Sequence, residues 1–271
     1  MGRRDQIGIQ GSGAGGTGES LTAAAPVNAD SRYGFKTEEL IRSGFVRKVY
    51  GILFCQLLVT FGIVAVFNLV KPIADKLDMN KNPGTAMGVM YGSWGIAFVT
   101  MLILVCCINK ARTYPMNMIL LSVFTLFESI FVGVFSAQYT AWSVLLAVGC
   151  TCIVVGALTL FACTTKIDFT GMGMYLYAGL MVMMCFSCAF TVILMCTDIS
   201  LKSYEMARVG YACIGCLVFS MYLVYDTQLI LGGQHAKFQF EVDDYVFAAL
   251  NIYMDIINLF IYILSILGDR K

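Results

Sequence analysis

The chain has 271 residues, of which 59% are hydrophobic and only 13% charged, with a formal net charge of +1 and a mean hydropathy of +0.78. Soluble domains are about a quarter charged, so this composition excludes a water-soluble globular protein, and near-neutrality leaves no basic surface for nucleic acid. The sequence reads as an all-α integral membrane protein whose first partner is the lipid bilayer.

Residues 1–31 are rich in Gly, Ala, Ser and Thr without apolar periodicity, and read as a disordered cytoplasmic tail. No apolar stretch follows Arg3 and Arg4, so no signal peptide is expected. "GSGAGG" at 11–16 has the G-x-G-x-x-G spacing but neither follows a strand nor opens a helix, so a dinucleotide reading fails its context. "MGRRDQ" places Gln6 where a myristoylation signal has Ser or Thr.

Residues 32–271 form one membrane domain. A bilayer core about 30 Å thick requires about 20 apolar residues per helix, and seven runs reach that length: 49–70, 85–107, 115–136, 142–163, 171–195, 206–231 and 245–267. A β-barrel is excluded because barrel strands alternate in segments of about ten residues, whereas these runs are apolar on every face. The breaks between them are short, so consecutive helices are neighbours. The longest, "KPIADKLDMNKNPG", follows the first helix and carries Pro72 and Pro83. Glycines in "GMGMYLYAG" and "GYACIG" are expected to let helix backbones approach closely.

Lys and Arg in short loops mark the cytoplasmic side. With the N-terminus cytoplasmic, that side holds eleven of the eighteen basic residues and the other side seven, the latter being Lys71, Lys76, Lys81, Lys202, Arg208, Arg270 and Lys271. Seven full crossings then carry the C-terminal "GDRK" to the opposite side, unless the seventh helix is short or re-entrant. Nearly all of the eleven cysteines fall inside predicted helices, which is no disulfide framework. "CFSC" and "CIGC" have metal-like spacing, but with one histidine in the chain and no polar module they read as apolar filler.

Three ionisable residues interrupt the apolar runs: Glu128 in the third, Asp226 in the sixth and Asp255 in the seventh. A carboxylate at a helix centre costs about 2.5–3.5 kcal/mol on insertion scales, so each needs a partner, water or a purpose. The sixth helix runs into the loop at Gly232 and Gly233 and the seventh returns from it. At 1.5 Å per residue, Asp226 lies about 9 Å from that loop and Asp255 about 15 Å from Tyr245. Side chains lean toward their own helix N-terminus, which brings the two carboxyls toward a common depth. Asn251, Asp255 and Asn258 form one polar stripe, and Tyr222, one turn before Asp226, is placed to donate its hydroxyl to the carboxylate. Two close carboxylates in low dielectric share a proton and titrate as a unit. Once deprotonated they attract a cation, and an all-oxygen site suits calcium. The alternative is that the pair only hydrogen-bonds neighbouring helices. Glu128 reads as lying deeper, toward the outer half, as a second cation station or as a structural group. No resident cofactor is expected.

"FVRKVYGILFCQLLVT" at 45–60, "YPMNMILLSVFTL" at 114–126, "SMYLVYDTQLILGG" at 220–233 and "DDYVFAALNIYMDIINLFIYIL" at 243–264 resemble the transmembrane Bax-inhibitor-motif family, and specifically its Lifeguard branch. The resemblance runs from about residue 32 to the end. It implies seven transmembrane helices with the seventh central, a pH-sensitive calcium leak or a role in calcium homeostasis, and suppression of apoptosis, with cell-death regulatory proteins as possible partners. It also implies an endoplasmic reticulum, Golgi or plasma membrane location. The family's pH-sensing aspartate pair falls by motif on Asp226 and Asp255. Its gating arginine near the cytoplasmic end of helix two falls nearest to Arg112, then Lys110, in "CCINKARTYP".

Two other readings stand beside this one. A non-conducting scaffold would act on cell death through protein partners, using the tail and loops. An intramembrane aspartyl protease would use the two aspartates to activate water, but Asp255 is preceded by "IYM" where such enzymes have Gly-x-Gly, and no "PAL" follows. No enzymatic activity is expected.

Overall fold

A computed structural model describes residues 29–107, 113–196, 201–232 and 237–271. The chain divides into two units, Met1–Glu38 and Glu39–Lys271. Of the expected tail, residues 1–28 lie outside the described residues and 29–31 are already helical.

The helices are α1 (Ala29–Leu69), α2 (Lys71–Leu77), α3 (Pro83–Cys106), α4 (Met116–Ala137), α5 (Ala141–Thr164), α6 (Gly173–Cys196), α7 (Leu201–Leu231) and α8 (Tyr245–Leu267). All but the seven-residue α2 belong to helices long and apolar enough to cross a bilayer. Six of the seven expected runs agree within a few residues. The first begins earlier, because the charged stretch before residue 49 is still helical and spaces Phe45, Val49 and Leu53 at four-residue intervals into the core.

Local chemistry explains several of the ends. Pro83 opens α3 at a position where its missing N–H costs nothing. Thr140 caps α5 by accepting from the Ser143 N–H at 3.4 Å. Gly232, at φ +60°, ends α7 in the left-handed conformation while its N–H donates to the Gln228 carbonyl at 2.9 Å.

α8 is the central helix. In its apolar stretch 61% of residues are buried, against 11–44% in the other six, because its neighbours surround it: α7 and α5 most extensively, with α4 alongside. Aromatic contacts fix this packing, with Phe61 of α1 edge-on to Phe260 at 5.6 Å and Phe124 of α4 edge-on to Tyr253 at 6.0 Å. The outer faces of the surrounding helices expose Leu58, Val99, Leu145, Val182 and Leu217, an apolar surface suited to lipid.

Of the glycines singled out in the sequence, Gly173 faces the Tyr225 hydroxyl and Gly215 the ring of Tyr262, both so closely that a Cβ would not fit, whereas Gly171 and Gly210 face open space. All eleven cysteines are free thiols.

The end of the bundle opposite Arg42 is tied together by the C-terminal segment. The Thr140 N–H donates to the Asp269 carbonyl, the Lys271 N–H donates to the Gln138 carbonyl, and the Asn80 amide donates to the Lys271 carbonyl. Lys271 also donates through Nζ to the Ala137 carbonyl at 2.8 Å. α8 therefore runs the full length of the bundle.

Candidate functional site

Asp226 lies five residues before the end of α7 and Asp255 at the middle of α8; each is only 4% exposed. Their carboxyl groups lie within hydrogen-bonding reach of one another. An ionised carboxylate only accepts hydrogen bonds, so such a contact needs a proton on one partner. The Oδ2 atom of Asp255 is buried and has no partner among the described residues, which leaves an open acceptor at the pair.

The polar residues expected around the pair are placed unevenly. Tyr222 is near enough to feel both carboxyls but makes no hydrogen bond to either; its ring packs on Phe219 at 5.8 Å and Tyr225 at 6.5 Å instead. Asn258 donates to the Met254 carbonyl one turn back on its own helix, at 2.8 Å, because a side-chain amide in an apolar helix finds that carbonyl more easily than a partner across the bundle. Asn251 is half-buried on the same helix. Lys110 and Arg112 lie outside the described residues.

The cation that meets α7 is Arg42. Its guanidinium donates through Nη2 to the Leu229 carbonyl at 2.5 Å, through Nε to the Leu231 carbonyl at 3.2 Å and through Nη1 to the Phe240 carbonyl at 2.6 Å. The last carbonyls of a helix have no partner inside it and carry its negative pole, so a planar, multiply donating cation satisfies both needs. The same end of α7 is tied to the α5–α6 loop, where Gln228 accepts from the Phe169 N–H at 2.8 Å and donates to the Ile167 carbonyl at 2.9 Å. In that loop Asp168 accepts from the Thr170 hydroxyl at 2.6 Å, the Thr170 N–H at 2.8 Å and the Lys237 N–H at 3.1 Å. These donors, the Thr170 hydroxyl foremost, hold the Asp168 carboxyl below its ordinary pKa.

The other side of α8 carries a second polar group. Tyr253 and Asp255 are two residues apart, hence about 200° apart around the helix and about 3 Å along it. The Tyr253 hydroxyl lies 2.9 Å from that of Thr60 on α1, which lies 2.8 Å from that of Ser129 on α4. Glu128 adjoins Ser129, is 7% exposed and lies within electrostatic range of Tyr253. It thus sits near the level of the aspartate pair, across α8 from it, rather than deeper: α4 and α8 enter from the same end, where Asn117 donates to the Tyr245 hydroxyl at 3.0 Å.

Arg42, Thr60, Ser129 and Tyr253 were not singled out as site residues from sequence. For Arg42 the available signal was the Gly-Gly end of the sixth helix, which leaves carbonyls in need of a donor. The hydroxyl residues give no signal singly, since only the register of three helices brings them together.

A protein-family model described as inhibitor of apoptosis-promoting Bax1 matches residues 42–271. The sequence is 35% identical to human protein lifeguard 3 over 232 residues, covering 85% of this chain and 70% of that protein. The mouse protein of the same name is 34% identical over 231 residues, covering the same shares. Protein LIFEGUARD 4 of Arabidopsis thaliana is 30% identical over 230 residues, 83% of this chain and 85% of that one.

Proposed function

Since the chain belongs to the family of inhibitors of apoptosis-promoting Bax1, we propose that it is a pH-sensitive calcium leak channel or calcium-homeostasis regulator that restrains cell death from within a membrane. The observation that carries this reading is the contact between the Asp226 and Asp255 carboxyls inside apolar helices. With one shared proton the pair holds α7 against α8. Loss of that proton leaves two negative charges in contact in a low dielectric, which repel each other. The charged pair then separates or takes up a cation, and calcium accepts an all-oxygen set of this kind. Asp255 Oδ2 is the first free ligand atom. Arg42 steadies the end of α7 that bears Asp226.

In this reading the N-terminus faces the cytosol and the protein occupies the endoplasmic reticulum, Golgi or plasma membrane, with cell-death regulators as partners. The test is calcium flux into liposomes containing the purified protein across a pH series, comparing wild type with Asp226→Asn and Asp255→Asn. The expected result is a pH-dependent flux whose dependence flattens or shifts in both variants. Flux at the empty-liposome level throughout, from correctly folded protein, overturns the channel and leaves a non-conducting scaffold.

A further inference from the structure

We propose that the groove between α1 and α4 is a lipid site, which seats one acyl chain of an acidic phospholipid and holds the headgroup phosphate at Lys48. A cavity of about 400 Å³ lies between these two helices, a size at which pockets hold small organic ligands. Lys48, Gly51, Cys55 and Val59 line it from α1 at intervals of three and four residues, so they share one face of that helix. Met118 and Leu121 line it from α4, and the walls are mostly apolar.

Hydrogen bonds explain where the groove opens. α1 and α4 run side by side in the same direction, joined by Gln56 to Thr125 at 2.9 Å, Thr60 to Ser129 at 2.8 Å and Asn68 to Ser136 at 2.9 Å. Among the described residues no such bond links 48–55 to 117–124, and there the helices leave room between them. Gly51 widens the gap, since a Cβ at that position would meet nothing within 4 Å.

Length and charge choose the occupant. At 1.5 Å per residue the lining from Lys48 to Val59 extends about 16 Å along α1, close to half of a hydrocarbon core about 30 Å thick. The apolar run of α1 begins at residue 49, so Lys48 stands at the edge of the core and Val59 near its middle. The groove is therefore one leaflet deep, the reach of a single acyl chain. Lys48 is exposed; its ammonium lies 3.2 Å from the centroid of the Tyr245 ring and makes no ion pair among the described residues. Arg47 beside it is exposed as well. A cation at the mouth of an apolar slot fits an anion carried on a hydrocarbon chain, and basic residues at this level attract acidic lipids. All the lining residues belong to α1 and α4 and none to the helices that bear the aspartate pair, so the site does not depend on the calcium reading.

The experiment uses the full chain in phosphatidylcholine vesicles that contain a trace of phosphatidylglycerol with a photoreactive diazirine in its acyl chain, or of phosphatidylcholine with the same chain. After illumination the adducts are mapped by peptide mass spectrometry, with those around the lipid-facing Val182 of α6 as the reference for bulk contact. The expected result is enrichment on 48–59 and 118–125 with the phosphatidylglycerol probe over the phosphatidylcholine probe, competed by unlabelled phosphatidylglycerol. Lys48→Gln should lower that enrichment about fivefold, the share of one lysine at an acidic membrane surface, and Lys48→Arg should keep it. Gly51→Leu, whose Cβ displaces no neighbour, should fill the groove and remove it. Equal adducts from the two probes, or an enrichment untouched by Lys48→Gln, mean ordinary contact with bulk lipid and overturn the proposal. Competition by cholesterol or oleic acid but not by phosphatidylglycerol overturns it too. Should Gly51→Leu not fold, the two Lys48 variants decide alone.

Discussion

The guanidinium of Arg42 donates to the main-chain carbonyl of Leu231 at 3.2 Å, five residues beyond Asp226 on the same helix. A side chain from the first spanning helix thereby caps the sixth, and two further bonds to Leu229 and Phe240 make the cap tridentate. Replacing Arg42 with Met leaves the Leu229 carbonyl with its 3.1 Å bond from the Phe240 N–H, takes a donor from the other two and removes a cation from a helix C-terminus, an effect worth up to about 2 kcal/mol in partly buried settings. Arg42→Met is expected to lower the unfolding midpoint measurably, and Arg42→Lys to recover only part, because an ammonium cannot span three carbonyls. Thermal unfolding of the three proteins in the same detergent checks this; equal midpoints would remove Arg42 from the account.

Contact between Asp226 and Asp255 makes their contributions non-additive. Residues sharing one hydrogen bond couple by about 0.5–3 kcal/mol. Asp226→Asn, Asp255→Asn and the double variant, compared by denaturant unfolding at neutral pH, are expected to give a coupling in this range. Strict additivity would mean the carboxyls do not interact.

Gly215 admits the ring of Tyr262, whose atoms approach to 2.6 Å of where a Cβ would stand. The ring has little room to swing, with Tyr211 at 5.9 Å and Phe219 at 5.8 Å. Gly215→Ala is therefore expected to destabilise by about 1–3 kcal/mol despite the better helix propensity of alanine. The double variant Gly215→Ala/Tyr262→Leu should regain part of the loss.

Asp168 sets a local acid limit. Its folded pKa is depressed below the ordinary 3.8 by the Thr170 hydroxyl and by the main-chain N–H groups of Thr170 and Lys237. A depressed carboxyl contributes stability that is present above its unfolded pKa and lost as pH falls through the folded value. Wild type should unfold at a higher temperature than Asp168→Ala at pH 6, and the gap should close on acidification below about pH 4, the ordinary range for an aspartate. A gap that persists unchanged to pH 2.5 would show that the carboxyl's charge is irrelevant to the loop.

The spans and the nearness of Asp226 to Asp255 were legible because both break a background. Seven apolar runs stand out against short polar breaks, and a carboxylate in such a run is conspicuous at any position. The early start of α1 was not, since hydropathy discounts charged residues that are nonetheless helical. Tyr222 was read from its spacing to Asp226, but one turn along a helix also places it beside Phe219 and Tyr225, and ring packing took it. Arg42 escaped because its partners are backbone carbonyls, which no side-chain pattern records. Glu128 was visible as a charge, but its surroundings come from three helices whose relative register the sequence does not state.

The C-terminal clasp has a mechanical consequence. α8 is gripped at its far end through Asp269 and Lys271 by the turns that join the α2–α3 and α4–α5 pairs. A post fastened in this way cannot slide like a piston without breaking two main-chain hydrogen bonds and two from side chains at once. In the gating proposed above, parting Asp226 from Asp255 would then fall to α7, which the Arg208 bond to the Ser265 carbonyl at 2.8 Å holds to the same end of α8.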